Sequence, residues 1–410
     1  MGSREGRGQP VYNFDEKIDN SKLWGIRYDF RRISPFLTQE SVYQDIIPLW
    51  VADMDFRTPE EVSAALIQSA RHGVFGYTEP NGSYFNAVLA WHSRRYGFDF
   101  SRESMTVSPG VVFSIALSID AYTQEGDAVL IQEPVYPPFS EVPRQKGRKV
   151  VVNELILVDG EYRIDFERFE AQIRDEKVRL FILCSPHNPV GRVWTAEELH
   201  KLGEISLKYG VIVVSDEIHA DFVFTQASGG RIPRHTIFVS VDKRFQENTI
   251  TLTAPSKTFN LAGLQASSAF ISDKELRSAF VNAYKRSGYS QLNCAGLFAA
   301  YAAYTYGDRW LTELVSYLEG NIRYLSSALD KAPIDLIKPE GTYLLWLDCR
   351  KLRLNDRELK RFFIEKAGVW LHSGGVFGDS GKGFMRINIA VPRSVIKEAA
   401  ERINKSAGDL

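Results

Sequence analysis

The chain is poor in cysteine, with three in 410 residues: Cys184, Cys294 and Cys349. This odd, dispersed set argues against a disulfide framework, and no Cys/His spacing resembles a zinc site, so no metal is predicted. Cys184 and Cys349 each end an apolar, strand-like run, which predicts buried free thiols. Because free thiols are typical of a reducing compartment, we expect the protein in the cytoplasm.

An excess of charge of either sign is also missing. Lys and Arg number 50, Asp and Glu number 51, and the formal net charge is −1. Nucleic acids and anionic membranes are therefore not expected as partners. No apolar run approaches the roughly 20 residues that a membrane helix requires. The opening MGSREGRGQP lacks the apolar segment of a signal peptide, and we expect residues 1–10 to form a disordered leader.

What is present is an ordinary globular composition, 44% hydrophobic and 25% charged, with enough length for two or three domains. From residue 59 onward, amphipathic helices alternate with apolar strands. Helical patterns cover 59–73 and 195–210, and the second opens with the capping box of Thr195 and Glu198. Four β-rich runs are the predicted strands: 128–132, 178–184, 211–216 and 249–254. Strands that are apolar on both faces and separated by helices predict a parallel or mixed sheet in an α/β architecture.

The pattern changes after Tyr289. Residues 290–330 are predicted to be helical, with Gly307 as the interruption. A strand pair near 334–348, a helix near 355–367, a strand at 384–390 and a final helix then predict a second, α+β domain. The predicted organisation has four parts: the leader 1–10, an N-terminal segment 11–50 that packs with the small domain, a large domain 51–290 and a small domain 291–410.

Three polar side chains follow predicted strands at one edge of the sheet, where open α/β sheets bind their ligands. Lys257 lies in TAPSKTFN, Asp216 closes VIVVSD, and Asn188 follows VRLFILCSPH. A lysine amine can form an imine with an aldehyde, and a buried carboxylate can keep a pyridine nitrogen protonated. The Asn188 amide can donate to a phenolic oxygen. Alone, Lys257 would be a solvated loop lysine and Asn188 an ordinary turn residue, but together the three predict a site for pyridoxal phosphate.

A phosphate group needs backbone N–H groups at the start of a helix. A predicted strand ends at Val107, and an apolar helix begins near Val111. The loop 108–112 between them is the predicted phosphate site, with contacts from Gly110, Val111 and Val112. Ser256 is expected to add a hydroxyl group.

Three further residues complete the candidate set. Tyr136, held between prolines in EPVYPPF, is expected to stack on the pyridine face; a structural turn tyrosine is the alternative. Arg386 is a single charge in the apolar run GFMRINIA, where its guanidinium fits an α-carboxylate; an ordinary ion pair is the alternative. His219 follows Asp216, and its alternative is a hydrogen-bonded histidine at the sheet edge.

These residues resemble those of pyridoxal-phosphate enzymes of fold type I, the aminotransferase class I/II superfamily. Within it, the chain is most similar to the C–S lyases grouped with MalY, PatB and cystalysin. The similarity covers residue 12 to the end of the chain. It depends on these segments: PLWVADMDF, VFGYTEP, SPGVV, EPVYPPF, FILCSPHNPVGRVW, VVSDEIHADF, TAPSKTFNLAGLQ and GFMRIN.

The resemblance implies a large domain with a mostly parallel seven-stranded sheet and a smaller α+β domain. It implies that Lys257 is the Schiff-base lysine and that Asp216 is the partner of the ring nitrogen. Asn188 would bind both the phenolic oxygen and the substrate. Arg386 would bind the substrate carboxylate, and Tyr136 would stack on the ring.

The resemblance also implies contacts outside these motifs. Tyr77 would reach the phosphate of the neighbouring subunit's cofactor, which implies a homodimer with shared active sites. The backbone at Val51 and Ala52 would contact the substrate carboxylate. His219, taken as a cofactor contact, and Gln265 stand where ordinary aminotransferases carry a tyrosine and a phosphate-binding arginine. Both differences agree with the lyase group.

The activity implied is β-elimination from L-cysteine S-conjugates such as L-cystathionine, giving a thiol (homocysteine), pyruvate and ammonia. L-Cysteine and other thioethers are further expected substrates. Two alternatives stay open at the level of sequence. One is an aminotransferase that acts on a 2-oxo acid with the same cofactor, and the other is a regulatory protein of this fold with minor lyase activity.

Overall fold

The structure, a computed structural model, describes residues 12–20, 23–37, 39, 41–225 and 233–409. The predicted leader, 1–10, lies outside these residues. Within them, no helix is both long enough and apolar enough to cross a membrane.

The strands of the described chain are short, and most are buried. In chain order they are β1 (Ile47–Pro48), β2 (Met105–Ser108), β3 (Ala128–Ile131), β4 (Lys149–Val152), β5 (Ile156–Val158), β6 (Glu161–Arg163), β7 (Val178–Cys184), β8 (Ile212–Asp216), β9 (Thr249–Thr253), β10 (Ser267–Phe270), β11 (Asp335–Leu336), β12 (Leu344–Asp348), β13 (Val369–Trp370), β14 (His372–Ser373) and β15 (Phe384–Asn388).

The α-helices connect these strands and cover the sheets. They are α1 (Glu60–His72), α2 (Gly82–Tyr96), α3 (Val111–Tyr122), α4 (Pro138–Gln145), α5 (Phe166–Asp175), α6 (Ala196–Lys208), α7 (Phe238–Val241), α8 (Pro255–Thr258), α9 (Lys274–Arg286), α10 (Cys294–Tyr306), α11 (Asp308–Leu329), α12 (Asp356–Arg361) and α13 (Arg393–Gly408).

The central sheet has seven strands in the order β2-β10-β9-β8-β7-β3-β4. Strand β10 is antiparallel to both of its neighbours, and all the other pairs are parallel. Successive residues of β7 enter different apolar cores, with Leu180 and Ile182 in one and Phe181 and Leu183 in the other. Both faces of the sheet are therefore covered, which explains why its strands lack polar alternation. The predicted α/β class and mostly parallel sheet are confirmed.

The predicted helix ends agree with the structure. Helix α1 is capped by Gly73, the residue after His72, whose φ of 73° is the left-handed conformation that favours glycine. Helix α6 begins with the predicted capping box of Thr195 and Glu198. Gly307 separates α10 from α11, and a Cβ there would lie 2.2 Å from the Phe259 ring. This close approach explains a glycine in an otherwise helical stretch.

A second sheet is formed in the order β11-β12-β15-β14, and its pairs are antiparallel. The predicted helix over 355–367 divides into α12 and a π-helical turn at Phe362–Lys366. Strand β1 pairs in parallel with β13, and Arg402 binds the carboxylate and carbonyl of Asp45. The N-terminal segment thus contacts the C-terminal part of the chain. The domain limits at 51–290 and 291–410 stay predictions.

Candidate active site

A cavity of about 660 Å³ opens at the carboxyl ends of β7, β8 and β9. The sequence-predicted residues that line it are Ala52, Gly110, Val111, Val112, Tyr136, Asn188, Asp216, His219, Ser256 and Lys257. The topology explains this convergence, since the chain emerges from neighbouring parallel strands at one edge. Cys184, Gln265 and Tyr289 also line the cavity.

Asp216 supplies a buried negative charge. It ends β8, is 6% exposed, and accepts a hydrogen bond from the Ile218 N–H at 3.0 Å. Burial raises the pKa of its carboxyl group from 3.8 to about 7. Among the described residues, no cationic side chain forms an ion pair with it. A protonated pyridine nitrogen would supply the missing positive partner.

Lys257 lies in α8, immediately after β9, so its amine enters the cavity from the strand end. Its Nζ donates to the carbonyl oxygen of Ala52 at 2.8 Å. Burial lowers the pKa of the Lys257 amine to about 8, Arg386 acts in the same direction, and Asp53 and Asp216 oppose them. At pH 7 about a tenth of this amine is then unprotonated, far more than for an ordinary lysine, and that fraction can act as a nucleophile or base.

Arg386, in β15, is 3% exposed, and burial lowers the pKa of its guanidinium to about 10. Its Nη1 donates to Asn188 Oδ1 at 3.1 Å, and its Nη2 donates to the Trp50 carbonyl at 2.8 Å. Nη2 also lies 3.1 Å from His372 Nδ1. In the described part of the chain, no carboxylate pairs with Arg386, and its buried Nε has no partner. The cation is therefore held by neutral groups and can receive an external carboxylate.

Asn188 is placed by its own loop. Its Oδ1 is used by Arg386, so its amide N–H groups remain available to an acceptor in the cavity. Its backbone N–H donates to the thiol sulfur of Cys184 at 3.4 Å. Nearby, Arg192 Nε donates to Glu340 at 3.0 Å, and the Gly191 carbonyl accepts from the N–H groups of Glu340 and Gly341. We call these contacts between residues 191–192 and 340–341 the staple. They fix the loop that carries Asn188.

The predicted phosphate site consists of backbone N–H groups at the start of α3. Helix α3 begins at Val111, and the N–H groups of its first turn point out of the helix. A Cβ on Gly110 would meet no atom within 4 Å, so a ligand can approach this backbone closely. Ser108, the first residue of the predicted loop, has its hydroxyl in contact with Ser114 and Ser267 and is fully buried. Its side chain therefore does not reach the cavity.

Tyr136 and His219 enter the cavity from different sides. Tyr136 is half-buried and packs edge-on against Phe139. His219 is buried, and its Nδ1 has no partner within the described residues. Burial, with Lys257 and Arg386 nearby, holds the pKa of His219 well below its usual value. This imidazole is neutral and offers a hydrogen bond to a ligand.

Three predicted residues are not among those that line the cavity: Tyr77, Val51 and Arg386, the last of which is joined to the lining through its hydrogen bond to Asn188. Tyr77 is 99% exposed on this chain, and the Val51 carbonyl accepts from the Asn388 side chain. Tyr77 lines a separate surface cavity of about 530 Å³, which shares Tyr289 with the larger one. The two cavities are therefore adjacent, and Tyr77 stands at the far side of Tyr289.

The geometry fits pyridoxal 5′-phosphate. Asp216 is a buried anion without a cation, Lys257 is an amine of lowered pKa, and the start of α3 presents free N–H groups. His219, which lines the cavity, has a buried Nδ1 without a protein partner in the described chain. Each is accounted for by a ligand that carries a ring nitrogen, an aldehyde, a phenolic oxygen and a phosphate.

Sequence reasoning missed two residues beside the site. Tyr343 donates its hydroxyl hydrogen to the Ala52 carbonyl at 2.9 Å, and Asn388 donates to the carbonyls of Val51 and Asp53. Both act on backbone oxygens that are about 300 residues away in sequence. An alternating apolar strand pattern gives no signal for such contacts.

The fold and this site together define the fold type I class of pyridoxal-phosphate-dependent enzymes. The profile of the family "Aminotransferase class I and II" matches residues 44–403. Cystathionine beta-lyase PatB of Bacillus subtilis is 43% identical over 88% of this chain and 92% of its own length. Protein MalY of Escherichia coli is 30% identical over 95% and 97%.

Among solved structures, cystalysin from Treponema denticola, which contains a pyridoxal 5′-phosphate cofactor, superposes with a TM-score of 0.91. It is 35% identical, and the match covers 97% of this chain and 99% of that one. The chain therefore belongs to the aminotransferase class I and II family, in the group of MalY, PatB and cystalysin.

Proposed function

We propose that this protein is a carbon–sulfur lyase that binds pyridoxal 5′-phosphate and eliminates the thiol from L-cysteine S-conjugates. L-Cystathionine is the favoured substrate, and its products are homocysteine, pyruvate and ammonia. The observation that carries the proposal is a pair of buried charges without ion-pair partners in the described chain: Asp216 lines the cavity, and Arg386 donates to Asn188, which lines it too. Asp216 suits a cationic ring, and Arg386 suits the carboxylate of an amino acid.

Binding places the reacting carbon. Arg386 would hold the α-carboxylate through the two N–H groups of its guanidinium fork, and Asn188 beside it fixes the orientation of that fork. The backbone at Val51 and Ala52 would contact the same carboxylate. A fixed carboxylate leaves one position for Cα, near the Lys257 amine.

Lys257 would serve twice. It would hold the cofactor covalently at rest, and its Nζ would take the Cα proton once the substrate amine has replaced it. When bound, the cofactor accepts the electron pair left at Cα and allows the Cβ–S bond to break. The Asp216 carboxylate would keep the ring nitrogen protonated, and Tyr136 would cover the ring face.

The assay that tests this proposal contains L-cystathionine and no oxo acid. Continued release of pyruvate and thiol in equal amounts, over many turnovers, supports the lyase. Dependence on an added 2-oxo acid contradicts it and indicates an aminotransferase. The Lys257→Ala variant is the control, and it should lose both the turnover and the label that borohydride leaves on the wild-type lysine.

We also propose a homodimer in which Tyr77 contacts the cofactor phosphate of the partner subunit. Apolar exposure around Tyr77 supports this, since Val74 is 71% and Phe75 is 64% exposed. Such a cluster is typical of an interface. A cytoplasmic location is part of the same proposal, and the buried free thiols of Cys184 and Cys349 support it.

A further inference from the structure

The segment of residues 50–55 reaches the cavity at Ala52, and side chains from distant parts of the chain bind its carbonyl oxygens. Arg386 binds the Trp50 carbonyl, and Asn388 binds those of Val51 and Asp53. Farther along, Asn260 donates to the carbonyls of Met54 and Phe56 and accepts from the Met54 N–H. We call residues 50–55 the strap. Its backbone is fixed on both sides of Ala52.

The Ala52 carbonyl is the one oxygen of the strap that faces the reactive lysine. It accepts from Lys257 Nζ at 2.8 Å and from the Tyr343 hydroxyl at 2.9 Å. A carbonyl oxygen has two lone pairs, so these two donors fill it. When the Lys257 amine is engaged elsewhere, the Tyr343 hydroxyl still satisfies this oxygen and keeps it in place.

Tyr343 has little freedom to leave this position. It is 0% exposed, and its ring packs edge-on against Phe222 at 4.9 Å and His219 at 6.0 Å between centroids. Its backbone carbonyl accepts from the Ile389 N–H. Burial raises the pKa of the phenol, so the hydroxyl stays protonated and acts as a donor over the working pH range.

We propose that Tyr343 is a positioning residue for Lys257, because it shares the Ala52 carbonyl with the lysine amine and fixes that oxygen as the amine's docking point. This role rests on the proposed function, because it requires that Lys257 is released from the cofactor when the substrate binds. Tyr343 then contributes to proton removal although it does not contact the substrate.

The sharing has a chemical consequence. In the transfer, Cα loses its proton to Nζ, and the resulting ammonium donates one N–H to Ala52 O. An oxygen that already accepts from Tyr343 is a weaker partner for the ammonium than one without a second donor. The other charged or titratable groups facing Lys257 are Asp53, Asp216, Arg386 and His219. In addition to these groups, Tyr343 weakens the hydrogen bond between the Ala52 carbonyl and the Lys257 ammonium.

The test uses Tyr343→Phe, which removes the hydroxyl and keeps the ring. The measured rate is the exchange of the Cα proton of L-alanine in D₂O, followed by NMR with the holoenzyme. Alanine has no leaving group, so this rate reports proton removal for a lyase and a transaminase alike. We expect the rate at neutral pH to fall about 10- to 100-fold, with KM nearly unchanged and the pH profile displaced to higher pH.

A second readout uses the cofactor-free protein. The pH dependence of Lys257 acetylation, followed by peptide mass spectrometry, should also move to higher pH in Tyr343→Phe. Tyr162→Phe is the matched control, since its buried hydroxyl accepts from Trp346 Nε1 and neither residue lines the cavity, so it should change neither readout. Exchange within twofold of wild type, or an acetylation profile that stays in place or moves down, would overturn the role of Tyr343. Failure of the cystathionine assay alone would overturn the lyase and leave this result standing.

Discussion

Asp216, which lines the cavity, and Arg386, which donates to the cavity residue Asn188, are buried charges of opposite sign that do not pair with each other in the described structure. Unpaired buried charges destabilise a folded chain, and proteins retain them where a ligand supplies the partner. The loss of folding stability caused by each charge should therefore be measurable in the cofactor-free protein. Its contribution to ligand binding should be measurable only when ligands are present.

The cost of Asp216 predicts a pH-dependent stability. Its pKa is raised on folding from 3.8 to about 7, so the folded state favours the protonated carboxyl group. The stabilisation this provides is complete below about pH 4 and is lost as the pH rises through about 7. Asp216→Asn, which is neutral throughout, should make the cofactor-free protein more stable by about 2–4 kcal/mol near pH 8 and leave it unchanged near pH 4. Denaturant unfolding of both proteins across this range measures the difference, and a gap that does not depend on pH would contradict the prediction.

If Arg386 binds the substrate carboxylate, changing it should weaken substrate binding. Arg386→Lys keeps the charge but replaces the planar fork with a single ammonium group, which cannot form two parallel hydrogen bonds to a carboxylate. We expect KM for L-cystathionine to rise about 10- to 100-fold, with a smaller effect on kcat. Steady-state kinetics measure both. Arg174→Lys, at an exposed arginine paired with its neighbour Asp175, should behave as wild type.

At the scale of single residues, the sequence was sufficient to predict the site residues that act through their own side chains. Lys257, Asp216 and Asn188 each follow an apolar strand, and parallel strands end at one edge, so their convergence could be predicted. Their exact roles stay predictions. Tyr343 and Asn388 could not be found in this way because they act on backbone oxygens of the strap, and a strand pattern does not encode such long-range contacts.

At the scale of elements, strands β3, β7, β8 and β9 and the ends of α1 and α6 were predictable, because burial on both faces and capping residues leave local signals. The antiparallel direction of β10 was not, since strand direction depends on the path of the chain between strands. The π-helical turn after α12 was also missed. It continues the apolar pattern of a helix, and only the hydrogen-bond register distinguishes it.

Helix α6 offers a test of packing. Gly203 faces the Phe245 ring, and a Cβ there would lie 2.1 Å from a ring atom. Gly203→Ala should lower the free energy of unfolding by about 1–3 kcal/mol, because a close-packed ring has to move. Gly82→Ala is the control: Gly82 begins α2, and a Cβ there would meet no atom within 4 Å. Thermal unfolding measures both, and equal effects would argue against packing as the cause.

At the scale of the whole molecule, the proposed dimer makes a quantitative prediction. If each site combines Lys257 of one subunit with Tyr77 of the other, Lys257→Ala and Tyr77→Ala subunits can complement each other. A mixed dimer would contain one intact site and one site lacking both groups. Random mixing makes half of the dimers mixed, so activity at limiting cofactor should approach about one quarter of wild type.

Each variant measured alone under the same conditions provides the baseline for this experiment. Size-exclusion chromatography with light scattering establishes whether the subunits have exchanged. Activity in the fully exchanged mixture that does not exceed the mean of the two single variants would exclude a shared site.

The staple around Arg192 has a consequence for how ligands enter. Through Gly191 and Glu340 it joins the loop that carries Asn188 to the stretch that leads into Tyr343. These two segments cannot separate without breaking a buried ion pair and two amide hydrogen bonds at once. We therefore expect ligands to enter on the side of the cavity lined by Tyr289, which also borders the surface cavity that contains Tyr77.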